Sequence, residues 1–91
     1  MKLRLRFFAT FREAVGQPDL EREYDGELTV GDVLEELAEE YPELDLFTAD
    51  GAVRDYLSIL LNGRDIAFLE GVKTPLEDGD ELSLFPPVAG G

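Results

Sequence analysis

The first eight residues constrain the fold more than any other part of the chain. From Lys2 to Ala9 the side chains alternate: Leu3, Leu5 and Phe7 fall on one side, and Lys2, Arg4, Arg6 and Phe8 on the other. A period of two is the signature of a strand with one buried face. Such a strand needs a sheet beside it and a second layer over its apolar side. The clearest candidate for that layer is one helix. Val30, Val33, Leu34, Leu37, Ala38 and Tyr41 recur at helical spacing. Thr29 is the candidate N-cap, with Asp32 three residues on as an approximate capping box. Pro42 stops the helix.

The remaining segments are short. Thr10 to Val15 reads as one helical turn closed by Gly16, and Leu20 to Tyr24 as a second strand, antiparallel to the first. Leu44 to Asp55 is irregular, with a turn at Asp50-Gly51. Leu57 to Leu61 is a compact strand followed by Asn62-Gly63, a strong hairpin signal, and Arg64 to Phe68 is the expected short return strand. After the turn Glu77-Asp78-Gly79-Asp80, Glu81 to Phe85 is the last strand, with Leu82 and Leu84 inward. The order predicts an α+β domain: a mixed sheet of four to five strands with one main helix packed across it. A length of 91 residues suits one such domain and leaves no room for a cleft between two. Residues 1–85 form that domain and residues 86–91 a flexible C-terminal tail.

Composition removes whole classes of function. The chain has no cysteine and no histidine, which excludes thiolate metal sites, a cysteine nucleophile and the usual general base near neutral pH. No metal site and no catalytic residue is expected. Ser58 and Ser83 have no base to activate them, and no Gly-rich phosphate loop is present. With 21 acids against 8 bases the net charge is −13, the wrong sign for nucleic acid or an anionic membrane. No stretch approaches the ~20 apolar residues that span a bilayer, and the charged start is unlike a signal peptide, so a cytoplasmic location is expected. High acid, two lysines and no cysteine fit a salt-loving cytoplasm; a very acidic mesophilic protein is the alternative.

Two stretches resemble a known family. Leu5-Arg6-Phe7-Phe8-Ala9-Thr10-Phe11-Arg12-Glu13 is similar to the opening of the molybdopterin synthase small subunit family (MoaD), which also contains the small archaeal modifier proteins. Leu76-Glu77-Asp78-Gly79-Asp80-Glu81-Leu82, followed by Phe85-Pro86-Pro87-Val88-Ala89-Gly90-Gly91, resembles that family's closing motif. The resemblance implies a β-grasp, ubiquitin-like fold. It also implies that an E1-like adenylating enzyme activates the Gly91 carboxylate with ATP and magnesium, no cofactor being bound by the chain itself. The adenylate would then become a thiocarboxylate, giving sulfur to molybdopterin or to tRNA, or would pass to a lysine as an isopeptide. Partners implied are the activating enzyme, the molybdopterin synthase large subunit and target-protein lysines, with Lys2 and Lys73 as acceptors for chain formation and the chain itself a monomer.

The residues of the tail suit that chemistry. A folded domain cannot enter an enclosed adenylation site, whereas a thin tail can. Gly90 and Gly91 allow close backbone approach, and Pro86 and Pro87 favour an extended segment that carries Val88 and Ala89 away from the sheet. Since Met1 is present and nothing follows Gly91, the Gly-Gly end is expected to be encoded rather than exposed by processing. Alternation also turns Phe8, Leu60 and Phe85 outward. If their strands are neighbours, they make an apolar docking patch beside the tail root. Lys2, Arg4 and Arg6 on the same side are expected to pair across to Glu21 and Glu23; a basic rim facing an acidic partner is the other reading. The acids Glu35, Glu36, Glu39 and Glu40, and those of the Glu77 to Glu81 turn, read as solvated. A β-grasp module that binds partners without covalent chemistry is the alternative function.

Overall fold

The computed structural model describes residues 1–54 and 57–87. Five strands, β1 (Lys2–Phe7), β2 (Asp19–Glu23), β3 (Ser58–Leu61), β4 (Arg64–Asp65) and β5 (Glu81–Phe85), join two helices, α1 (Thr10–Val15) and α2 (Val30–Glu40). The sheet order is β2-β1-β5-β3-β4. β1 runs antiparallel to β2 and parallel to β5, while β3 is antiparallel to both β4 and β5. A parallel central pair requires a crossover, and α2 lies within it. Leu3, Leu5 and Phe7 of β1, Leu82 and Leu84 of β5, and Val30, Val33, Leu34 and Leu37 of α2 are all buried in one core. Full burial of each such side chain contributes about 1.5–3 kcal/mol. A mixed sheet wrapped around one helix is the β-grasp, ubiquitin-like fold.

Local signals account for most boundaries. The capping box forms: the Thr29 hydroxyl accepts from the Asp32 amide at 3.3 Å, and the Asp32 carboxylate accepts from the Thr29 amide at 2.9 Å. The helix stops before Pro42, where Tyr41 leaves helical dihedrals (φ −127°, ψ 79°). Gly31 lies in the first turn of α2, where a Cβ would stand 3.1 Å from the Val72 carbonyl oxygen and 3.2 Å from its Cβ. The short 3-10 turn Gly71–Lys73 therefore packs closely on the start of α2. Asn62 and Gly63 both have positive φ, 51° and 86°, as a two-residue type I′ hairpin requires.

Several expectations are corrected. β1 ends at Phe7 rather than Ala9, because Ala9 turns the chain at φ 52°, ψ −128°. The Phe11 amide donates to the Phe8 carbonyl at 3.1 Å, closing a type II′ turn with alanine where glycine is usual. The return strand is only Arg64–Asp65; the Asp65 carboxylate accepts from the Ala67 amide at 2.9 Å and draws the chain into a 3-10 turn at Ile66–Phe68. The irregular stretch after the helix still buries Leu44 and Leu46.

The acids of α2 are not all solvated. Arg22 on β2 donates to Glu36 at 3.0 Å and, through two nitrogens, to Glu40, tying the edge strand to the helix. These bonds raise the Arg22 pKa and lower that of Glu40. The Tyr24 hydroxyl donates to the same Glu36 oxygen at 2.9 Å. Burial first, and that hydrogen bond second, push the Tyr24 phenol up to about 12. The neutral phenol is the form the fold favours. Its contribution is fully present below the ordinary tyrosine pKa of about 10 and is lost as pH rises through about 12. With screening at this partly exposed site, the effect is about 1 kcal/mol. Urea midpoints compared from pH 9 upward should fall more steeply for the native chain than for Tyr24→Phe; parallel curves would refute the coupling.

Candidate functional site at the root of the tail

Because β1 and β5 are parallel neighbours, their C-terminal ends reach the same edge of the sheet. Phe8 follows β1 immediately, and its amide donates to the Leu84 carbonyl at 3.3 Å, extending the ladder by one step. Phe85 closes β5. The two rings stack with centroids 4.2 Å apart and planes 9° from parallel. The Arg6 guanidinium carbon lies 5.0 Å from the Phe8 centroid, so cation, ring and ring form one layered plate. Across the sheet, Arg6 pairs with Ser83 and Ser83 with Leu60. Ser83 is only 7% exposed although it faces away from the core; a small side chain sits here between larger neighbours. Leu60, Phe8 and Phe85 are each half-buried. The expected patch is assembled, with Phe8 and Phe85 in direct contact and Leu60 one strand further along.

Arg4 and Arg6 of β1 have other ion-pair partners than expected. Arg4 is in register with Glu21, yet its guanidinium donates to Asp19 at 3.1 Å. Glu81 on β5 lies 3.9 Å from both Arg4 and Arg6. The hydrogen bond that Arg4 donates to Asp19, and the charge of that carboxylate, raise the Arg4 pKa. Arg4 and Arg6 are thus paired with acids on the two neighbouring strands rather than forming a free basic strip. The feature missed from sequence is the Arg6–Phe8 layer. Its signal was present, since residues i and i+2 of a strand share a face.

The tail leaves this plate through Pro86, half-buried, and Pro87, exposed. Val88, Ala89, Gly90 and Gly91 lie outside the described residues. Lys2 begins β1, about 20 Å along the strand from Phe8 at 3.3 Å per residue. Lys73 ends the 3-10 turn Gly71–Lys73; both lysines are exposed. The site offers no nucleophile and base in contact among the described residues. What it offers is a flat apolar anchor from which the backbone continues outward.

Fold and site together define a ubiquitin-like protein with an aromatic platform where its last strand ends. The chain belongs to the ThiS family, whose model matches residues 5–91. It is 51% identical over 92 residues to small archaeal modifier protein 3 of Haloferax volcanii, covering 100% of both chains. It is 35% identical over 97 residues to the molybdopterin synthase sulfur carrier subunit of Aedes aegypti, covering 100% of this chain and 90% of that one. The crystal structure of SAMP1 from Haloferax volcanii superposes with a TM-score of 0.85 at 35% identity over 100% of both chains. The relatives are small ubiquitin-like modifiers and sulfur carriers.

Proposed function

We propose that this chain is a ubiquitin-like sulfur carrier, protein modifier or both, and that its acyl donor is the carboxyl of Gly91. The observation that carries the reading is the full-length 51% identity to a small archaeal modifier. The stacked platform at the tail root supports it. Residues 1–85 are the folded domain, and Pro86 to Gly91 the segment that enters the activating enzyme. The chain supplies no catalytic group.

An E1-like enzyme would use ATP and magnesium to join the Gly91 carboxylate to AMP, releasing pyrophosphate. A sulfur nucleophile replacing AMP leads to the thiocarboxylate, whose acceptors would be molybdopterin, through a synthase large subunit, or tRNA. A lysine amine replacing AMP, with loss of a proton, gives an isopeptide; Lys2 and Lys73 are the acceptors this chain itself offers. The setting is the cytoplasm. No helix among the described residues is long and apolar enough to cross a membrane, in keeping with that setting.

Intact and digested mass spectra of the chain from its own cells test the reading. Replacement of one terminal oxygen by sulfur identifies a carrier, and lysines joined to Gly91 identify a modifier. An unmodified carboxylate alone, under active sulfur metabolism and under stress, would leave the non-covalent binding module.

Docking makes its own prediction. A buried aromatic anchor contributes 2 kcal/mol or more to a typical interface, which is a factor of about 30. Phe85→Ala and Phe8→Ala should each lower kcat/KM for adenylation by the activating enzyme at least about 30-fold. Both side chains are half-buried and lie outside the core, so each variant should still fold, as checked by circular dichroism. Unchanged kinetics in both would remove the plate from the docking surface.

A further inference from the structure

The outward face of the sheet has a low point at Ser83. Strand register sets Arg6 on one side of it and Leu60 on the other. Glu81 and Phe85, two residues away along β5, share the same face. These four side chains are all longer than a hydroxymethyl group, so they stand around Ser83 and leave it 7% exposed. A serine this deeply buried ordinarily spends its hydroxyl inside the chain. Thr74, the other buried polar residue among those described, does so: its hydroxyl donates to the Gly71 carbonyl at 2.7 Å and accepts from the Glu70 amide at 3.0 Å. The Ser83 hydroxyl bonds to none of the described residues. No fully enclosed side-chain polar atom among them lacks a partner, so Ser83 Oγ keeps a narrow opening to the surface.

Arg6, beside it on β1, is in a similar condition. Its guanidinium lies over the Phe8 ring, and its ion-pair partner Glu81 stands 3.9 Å away, beyond hydrogen-bond range. Glu81 is shared at the same distance with Arg4. By contrast, Arg4 donates to Asp19 at 3.1 Å and Arg22 to Glu36 at 3.0 Å. The Arg6 side chain forms no hydrogen bond among the described residues. Two donors, adjacent by register, are therefore unspent. The group that satisfies both is an acceptor with two oxygens, a carboxylate, whose charge Arg6 also complements. Phe8, Phe85 and Leu60 around them exclude water once a partner lies on the plate, and a donor left unmatched there weakens binding.

We infer that Ser83 and Arg6 form a polar subsite within the docking plate, where an aspartate or glutamate side chain of the activating enzyme is held between the Ser83 hydroxyl and the Arg6 guanidinium. The inference rests on the reading of Phe8, Leu60 and Phe85 as the docking face. The apolar side chains supply contact area, and the subsite supplies selection: a partner that brings an apolar group here leaves two donors dry. An acidic anchor discriminates well on a chain of net charge −13, because it is repelled over most of the surface and accepted beside Arg6.

ATP–pyrophosphate exchange with the activating enzyme tests this on the full chain, through the KM for the chain. Ser83→Ala removes only the hydroxyl and should raise KM at least about tenfold. Ser83→Val also fills the low point and should raise it further. Arg6→Gln should raise KM as well. The double variant Ser83→Ala, Arg6→Gln should fall short of the product of the two single effects by at least about threefold, as two donors to one carboxylate require. The loss from Ser83→Ala should lie in KM and not in kcat, because Ser83 stands at the root of the tail and not at its reacting end. Its thermal midpoint should match that of the native chain, since the hydroxyl holds nothing within the fold. Unchanged KM in both Ser83 variants, with a native chain that is activated, overturns the subsite alone. So do strictly multiplicative effects, or a rise in KM that only follows a lowered midpoint. A native chain that supports no exchange refutes the carrier reading itself, and the subsite with it.

Discussion

Removing Gly90 and Gly91 should abolish activation and leave the fold intact. The truncated chain still ends in a carboxylate, now on Ala89. That group is withdrawn by about 7 Å at 3.3–3.6 Å per residue, and the residue bearing it carries a methyl where glycine had none. A displacement of about 1 Å can already cost on the order of a hundredfold in a positioned reaction. The loss should therefore exceed about a thousandfold, and ATP–pyrophosphate exchange with the activating enzyme should fall to background. Stability should not change. Among the described residues the buried core runs from Leu3 to Leu84, so the native and truncated chains should share one thermal midpoint. Exchange that survives truncation would move the acyl donor elsewhere. Exchange absent from both forms, with binding to the partner retained, would favour the non-covalent module.

The parts of this fold that were legible in the sequence depend on near neighbours. The strand through Leu3, Leu5 and Phe7, the box between Thr29 and Asp32, and the turn at Asn62-Gly63 each declare themselves within a few residues, because period and cap geometry are local. The outward turn of Phe8, Leu60 and Phe85 followed from the same alternation. Which strands lie side by side did not, since the parallel pairing of β1 with β5 joins opposite ends of the chain. Hence the ring stack, and the bond from Arg4 to Asp19 in place of Glu21, required the structure. Arg22 gives the same lesson: its partners Glu36 and Glu40 lie on another element, and a row of acids on a helix looks solvated until a cation is brought over it. Ala9 was hidden for a different reason. A type II′ turn ordinarily announces itself with glycine, and here alanine holds that conformation. Leu44 and Leu46 sit in a stretch with no period, so nothing local marks them as core.

The largest expected effect on stability comes from salt. The folded chain carries −13 charges within a radius of gyration of 12.3 Å, equivalent to a sphere of about 16 Å. Unfolded, a chain of this length expands to a radius of gyration of about 30 Å, equivalent to a sphere of about 39 Å, and the same charges lie further apart. For a sphere carrying its charge at the surface in water, raising ionic strength from about 0.01 to about 1 M shortens the screening length from about 30 to about 3 Å. The repulsion relieved is roughly 11 kcal/mol in the folded chain and roughly 3 kcal/mol in the unfolded one. The difference, roughly 8 kcal/mol, is comparable with the whole stability of a small domain. Local ion pairs such as Arg4 with Asp19 are weakened by the same salt, but exposed pairs of this kind contribute little. Net repulsion wins, and the sign is stabilisation. Thermal or urea unfolding across a potassium chloride series should show a midpoint that rises steeply at low salt and flattens toward 1 M. A salt-independent midpoint would mean that net repulsion does not set the stability of this chain. Pairing alone cannot produce that outcome, because 8 bases leave 13 of the 21 acids without a cation, and the six ion pairs among the described residues join only four arginines to five acids, in three clusters.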